Sequence, residues 1–383
     1  MHRVLILGGG FGGVPLAHAL RRALPPEDEI ILVERRTHFM MGLRKNWVLS
    51  GQATLEEGQR PLAALAQFGI RVVPATITAI DPANRAAEFD GQRMEADALV
   101  VALGAELAPD QVPGFSEYAL NVYDPRAVPR AAEALQRFRG GRVVIGIFGA
   151  PYKCPPAPYE LALLLRERFA RDGIQAALEV FTPLPRSIPL LGQAGCSSIE
   201  GRLAAQGIAF LANRRAAAVE PGAVVLGDER RPFDLLLGVP PHRCPAVVVQ
   251  SGLTEGGAWV KVDPRTLETR FPGVYAIGDV TEIPMANGQP LPKAGVFAEA
   301  EAEVVAAQIA ARFAGRSTDV TFTGEGFCFL EVGRGEGMLV RGRFLAEPAP
   351  QVELAGPSRE FAQAKLEFER ERLERWFGPA TSA

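Results

Sequence analysis

Cysteine and histidine are scarce in this chain, with four of each among 383 residues. Cys154, Cys196, Cys244 and Cys328 are too few and too scattered for a disulfide scaffold. No cysteines or histidines pair at ligand spacing, so no metal centre is expected. An excess of one charge is missing too: the formal net charge is −3, which offers no electrostatic footprint for a nucleic acid. No apolar run approaches the ~20 residues that a membrane-spanning helix needs. The only apolar run near the N-terminus contains glycines that a turn requires, so it does not read as a secretion signal. These absences point to a cytoplasmic protein in a reducing compartment, where a disulfide belongs to catalysis more than to scaffolding. Hydrophobic content of 48% and charged content of 22% are those of an ordinary globular protein, and the length suits two or three domains.

Glycine is present where it carries information. Val4-Leu5-Ile6-Leu7 runs straight into Gly8-Gly9-Gly10-Phe11-Gly12-Gly13. Gly8, Gly10 and Gly13 fit the G-x-G-x-x-G fingerprint of a dinucleotide site. Gly8 permits the tight turn, Gly10 lets the backbone approach a pyrophosphate, and Gly13 lets helix and strand pack closely. The N–H groups at the helix start offer an anion site. A second strand, Ile30-Ile31-Leu32-Val33, ends in Glu34, at the offset where an acid grips a ribose hydroxyl.

Strands and helices alternate to about residue 85, and Ala96–Gly104 then reads as a buried strand ending in glycine. A new α/β unit opens at Gly141, with helix signals at Tyr159–Arg171 and Ser198–Gln206 and strand signals at Ala177–Phe181 and Phe233–Gly238. Ile277-Gly278-Asp279 reads as a buried strand ending at a helix start, which sets the Asp279 carboxylate beside a cofactor. A long Ala/Glu-rich helix follows over Ala298–Phe313, then strands near Gly326–Val332 and Gly337–Phe344, and a charged helix over Ser358–Phe377. That last helix balances five basic against five acidic residues. Membrane-surface helices usually carry a basic excess, so packing on the protein is favoured and peripheral lipid contact stays open. There are no internal repeats.

This order of motifs resembles the two-dinucleotide-fold flavoproteins. The resemblance implies an α/β fold with two Rossmann-like dinucleotide-binding domains, of the glutathione-reductase-like type, and a small C-terminal α+β segment. The expected division is 1–105 and 241–315 for the two parts of an FAD-binding domain, 106–240 for the second Rossmann-like domain, and 316–383 for the C-terminal segment. FAD would meet Gly8, Gly10, Gly13, Glu34, Gly104, Gly278, Asp279 and Lys293. The middle domain departs from the pattern. After its first strand it reads Gly149-Ala150-Pro151-Tyr152-Lys153-Cys154-Pro155-Pro156-Ala157-Pro158-Tyr159-Glu160, with no second glycine fingerprint. Four prolines remove N–H donors that a pyrophosphate would need, so no nicotinamide site is expected.

The same stretch resembles the active-site segment of sulfide:quinone oxidoreductases and of the flavocytochrome c sulfide dehydrogenase flavoprotein. Pro240-Pro241-His242, Pro292-Lys293-Ala294-Gly295 and Gly326-Phe327-Cys328-Phe329 extend the match. The resemblance implies that Cys154 and Cys328 form a redox-active pair facing FAD. Tyr118–Val128 has no third cysteine, and Phe39–Leu43 has none to attach flavin, so FAD should be non-covalent. Glu160 suits a general base taking a proton from hydrogen sulfide or a thiol. Lys293 suits a charge that steadies reduced flavin. Cys196 and Cys244 read as small buried apolar residues.

The expected function is therefore an FAD-dependent oxidation of sulfide, or of a related small sulfur compound, through a cysteine pair. Electrons would pass to quinone or to a soluble acceptor. The alternatives are an NADH:acceptor dehydrogenase of the same fold and a redox-sensing or non-catalytic flavin-binding interaction protein. Oligomeric state is left open by the sequence.

Overall fold

The computed structural model describes residues 1–379. Two five-stranded parallel sheets form its body. The first sheet is ordered Val274–Ala276, Ala98–Val101, Arg3–Leu7, Glu29–Val33 and Arg71–Val73. The second is ordered Leu120–Asn121, Leu235–Val239, Gly141–Ile147, Ala176–Phe181 and Ile208–Leu211. The central strands are near-continuous runs of Val, Ile and Leu because parallel sheets are covered on both faces. Val4, Leu5, Ile6 and Leu7 are fully buried, as are Val143, Val144, Ile145 and Ile147. The chain enters the first sheet, builds the second, and returns to the first at Val274–Ala276. That return brings Gly278 and Asp279 to the same sheet edge as residues 98–104, about 170 positions earlier in the chain. The fold is thus α/β with two Rossmann-like cores.

The fingerprint turn has the geometry its glycines allow. Gly8 lies at φ +109, and a Cβ there would sit 2.4 Å from the Ala102 carbonyl oxygen. A Cβ at Gly13 would lie 1.8 Å from the Gly8 carbonyl oxygen, so the helix Gly13–Ala23 packs against the turn as only glycine permits. A Cβ at Gly10 would meet nothing within 4 Å, which leaves that face of the loop open.

Residues beyond the second sheet form an antiparallel three-stranded sheet, Glu325–Gly333, Glu336–Arg343 and Gln351–Ser358. Its third strand is hard to see in sequence: the alternation Gln351-Val352-Glu353-Leu354 is only four residues long before Gly356-Pro357 interrupts it. The terminal helix Arg359–Phe377 follows, with the Ser358 hydroxyl accepting from the Phe361 N–H at 3.3 Å as an N-cap. Its apolar side, Phe368, Leu373, Trp376 and Phe377, is buried. Trp376 meets Phe11 of the fingerprint loop edge-on with ring centroids 5.6 Å apart, and Phe39 at 5.5 Å. Among the described residues no helix is long and apolar enough to cross a membrane.

One element needs correction. Gly278 and Asp279 do not open an α-helix: they form a single 3-10 turn, Gly278–Val280, and the long helix begins at Gly295. Gly278 takes φ +75, and Thr281 leaves the turn in extended conformation, which ends any helix there.

Candidate active site

Cys154 sits in the loop between the strand Gly141–Ile147 and the helix Ala157–Arg171. Its backbone is in the left-handed region, φ +53, which is costly for a residue with a Cβ. Three bonds hold it there. The Cys154 N–H donates to the Lys293 carbonyl at 2.8 Å. Its own carbonyl accepts from the Ala157 N–H at 3.0 Å and from the buried Tyr123 hydroxyl at 3.2 Å. Cys328 lies on the strand Glu325–Gly333, opposite Val340.

The fold brings the two thiols close together. Cys328 lowers the Cys154 pKa against the upward push of burial, while the Cys328 S–H itself faces the Phe329 carbonyl at 3.6 Å. The neighbouring Cys154 and burial raise Cys328 well above the usual thiol range. In the reduced pair Cys154 is therefore the thiolate and Cys328 the thiol. The other two cysteines lie elsewhere. Cys196 is buried with its S–H donating to the Ile188 carbonyl, and burial pushes the Cys244 thiol up to about 11.

Glu160 occupies the first turn of the helix Ala157–Arg171 and is buried. Its Oε1 accepts from the Lys365 ammonium at 2.7 Å and from the Asn46 amide at 2.8 Å; its Oε2 accepts from the Glu331 N–H at 2.9 Å. Burial lifts its pKa above the carboxylate norm despite the Lys365 charge. The Glu160 charge acts on both thiols. Trp47, Asn46, Glu331 and Lys365 gave no signal in sequence. They come from three separate elements, and a lysine in a charge-balanced helix reads as solvated.

The Asp279 carboxylate is buried within reach of the positive charges of Lys153, Lys293 and Lys45. Burial raises its pKa and the three lysines pull the other way. Lys293 is buried. Its ammonium donates to the carbonyls of Asp279 at 2.6 Å and Thr281 at 3.2 Å, and it stands 3.4 Å from the centre of the Trp259 ring. Burial lowers its pKa to about 8, and burial followed by the Lys153 charge does the same for Lys45. Lys45 sits in no sequence motif, and Lys153, which stands beside Cys154 in one, takes its place in this charge cluster only from the fold. His242 is neutral: burial, then Lys153, depresses it to about 3, and its Nε2 is buried without a partner.

These residues fit a dinucleotide with a flavin at one end. The open face at Gly10, at the positive end of the helix Gly13–Ala23, suits a pyrophosphate. Gly104, at φ +66 with nothing near its missing Cβ, leaves space on the adjacent strand end. Glu34 needs a qualification. Its oxygens already accept from Gly9 N–H at 2.9 Å and from Arg36 at three positions. Burial opposes its charge, but Arg36 holds the carboxyl below the usual range. A ribose hydroxyl would have to share Glu34 with the Arg36 side chain, which is half exposed and free to yield.

Fold and site together define a flavin-dependent oxidoreductase with a thiol pair. A family model described as pyridine nucleotide-disulphide oxidoreductase matches residues 2–302, and the chain belongs to that family. It is accordingly a flavoprotein that binds FAD. Among curated relatives, the chain is 28% identical over 329 residues to the sulfide-quinone reductase of Aquifex aeolicus (strain VF5), covering 80% of this chain and 75% of that protein. It is 23% identical over 304 residues to the mitochondrial sulfide:quinone oxidoreductase of Mus musculus, covering 75% and 67%. The solved structure of the sulfide:quinone oxidoreductase from the hyperthermophilic bacterium Aquifex aeolicus superposes with a TM-score of 0.86 at 23% identity, covering 99% of this chain and 96% of that one.

Proposed function

We propose that this chain is an FAD-dependent sulfide:quinone oxidoreductase, with Cys154 and Cys328 as its redox pair and quinone as electron acceptor. The reading is supported by curated relatives of that activity and by one observation above all: folding brings two thiols 174 positions apart close enough to shift each other's ionisation. When bound, FAD supplies the two-electron acceptor that sulfur oxidation needs. The chain supplies the rest. In the oxidised pair, hydrosulfide attacks one sulfur of the disulfide, forming an S–S bond to the added sulfur and breaking the bond between the cysteines. Cys154 is the sulfur best suited to leave as thiolate, because the nearby cations Lys365 and Lys45 stabilise its charge; the added sulfur then rests on Cys328. Glu160 is the base that receives the substrate proton. Gly8, Gly10, Gly13, Glu34, Gly104, Gly278, Asp279 and Lys293 hold the cofactor without a covalent bond. Lys293 spends its ammonium on carbonyls, so its help to reduced flavin is the field of a fixed charge.

Two features favour sulfide over a nicotinamide donor. The N–H groups that follow the strand Gly141–Ile147 are already spent: Cys154 donates to the Lys293 carbonyl, Ala157 to the Cys154 carbonyl, and the first-turn Tyr159 and Glu160 to the Pro156 carbonyl. At Gly149 a Cβ would already lie 3.0 Å from Pro241, so that turn is covered. The four-part division at 105, 240 and 315 belongs to the same proposal. So does a cytoplasmic chain lying peripherally on the inner face of a membrane, where quinone resides. Leu366, half exposed on the terminal helix, is an apolar residue available for that contact.

Anaerobic rapid mixing of the flavin-loaded protein with sulfide or NADH tests the reading. Sulfide should bleach the flavin band quickly, NADH should not, and Cys154→Ser should lose at least ~100-fold of the sulfide rate. Fast bleaching by NADH, or wild-type bleaching in Cys154→Ser, would overturn it.

A further inference from the structure

We propose that Lys365 and Glu331 extend Glu160 into a proton outlet, leading from the Cys154–Cys328 pair to a solvent-open cavity beside Trp47. The proposal rests on the thiol-pair reading only for what sheds the proton.

From Glu160 outward the geometry is continuous, and the Glu160 charge reaches both thiols. Glu160 and Lys365 are each 3% exposed, so neither can exchange a proton with bulk water directly. The Lys365 ammonium bridges Glu160 Oε1 and Glu331 Oε1 at 2.7 Å each. The Glu331 side chain, 14% exposed, reaches a cavity of about 540 Å³ also lined by Arg44, Trp47, Glu57 and Arg359. Trp47 Nε1 donates to Glu331 Oε1 and fixes its orientation. No other described charge touches the trio's bridging atoms.

Charge explains why the trio suits a proton. One ammonium between two carboxylates carries net −1. A buried negative cluster is expensive in a medium of low dielectric, and one added proton makes it neutral. A lone ion pair, Glu160 with Lys365, would already be neutral and would have no such capacity. Lys45, Lys153 and Lys293, whose charges converge on Asp279, repel a proton instead of drawing it. A proton leaving the sulfurs therefore moves toward Glu160.

The steps balance without any electron transfer. A thiol S–H bond breaks and its proton binds the Glu160 carboxylate. Lys365 then gives one ammonium proton to Glu331 Oε1 and takes the Glu160 proton on its nitrogen. Glu160 is again a carboxylate, Lys365 again an ammonium, and Glu331 is neutral until it loses its proton to cavity water. Tyr123, whose hydroxyl is tied to the Cys154 carbonyl, takes no part.

Glu331→Gln tests this, because the amide oxygen still accepts from Trp47 and Lys365 while the side chain can no longer carry a proton. The reduced, flavin-loaded protein is stepped in pH by rapid mixing, and Cys154 thiolate is followed at about 240 nm against Cys154→Ser. Thiolate should form at least tenfold more slowly in Glu331→Gln. Millimolar formate, small enough for the cavity, should restore the rate, and Glu331→Asp should stay close to wild type. A merely structural Glu331 would give none of the formate rescue. Wild-type thiolate kinetics in Glu331→Gln would overturn the outlet. Sulfide bleaching of the same wild-type sample judges the sulfide reading separately: slowed thiolate formation in Glu331→Gln without bleaching would keep the outlet and discard that substrate.

Discussion

Cys154 is the residue where local strain and chemistry meet. A left-handed conformation at a non-glycine residue costs about 1–3 kcal/mol, and three hydrogen bonds to Lys293, Ala157 and Tyr123 hold it. The thiolate preference of Cys154 depends first on Cys328. Cys328→Ser keeps a polar hydrogen at that position, whereas Cys328→Ala removes it, so only the latter should raise the Cys154 pKa. The alkylation rate of Cys154 against pH would show its midpoint shift upward in Cys328→Ala; an unchanged midpoint would deny the pairing. Glu301 offers a second prediction. It is buried and accepts from the Gly278 N–H, and burial raises its pKa from 4.5 to about 7. Between those values the folded chain keeps a proton that the unfolded chain has lost, so stability falls as pH rises from about 4.5 to 7 and then levels. The difference is up to ~3 kcal/mol. Glu301→Gln should flatten this slope, and denaturant midpoints at pH 5 and 8 would reveal it; parallel curves for variant and wild type would refute it. The glycines, the cysteines and Glu160 were legible in sequence because each sits in a short motif. Lys45, Trp47, Glu331 and Lys365 were not, because only the tertiary fold gives them partners.

Among elements, the terminal helix differs most from its appearance in sequence. Its equal charges suggest a solvated surface helix, yet Lys365 and Glu369 are buried. Lys365 pairs with Glu160 and Glu331, and Glu369 with Arg44. The packing half of that reading holds, since Trp376 and Phe377 seat against Phe39. Trp376→Ala should cost about 3–5 kcal/mol. Because Trp376 also contacts Phe11 of the fingerprint loop, it should hasten loss of FAD on gel filtration as well. Full retention of flavin in the variant would separate the helix from the cofactor loop. Strand and helix positions followed from periodicity wherever burial was two-sided, as in Arg3–Leu7 and Gly141–Ile147. They failed at the Gly278 turn and at Gln351–Ser358, where a single φ or an exposed edge decides.

Across the whole molecule, the chain leaves its first sheet and comes back to it, so the fingerprint at Gly8–Gly13 and the turn at Gly278–Asp279 share one surface. That doubling back was readable as the order of motifs, while the meeting of Cys154 and Cys328 was not, since one lies on the second sheet's loop and the other on the C-terminal sheet. If the molecule rests on lipid through its last helix, Leu366→Glu should reduce co-sedimentation with quinone-bearing vesicles several-fold while sulfide still bleaches the flavin; equal sedimentation would move the contact elsewhere. The terminal helix carries a wider consequence. Its 19 residues reach the fingerprint loop through Trp376 and the sulfur chamber through Lys365. A protease nick just after Ser358 would thus act as a fuse: coenzyme grip and sulfur chemistry would fail in one event, and no half-working fragment would persist.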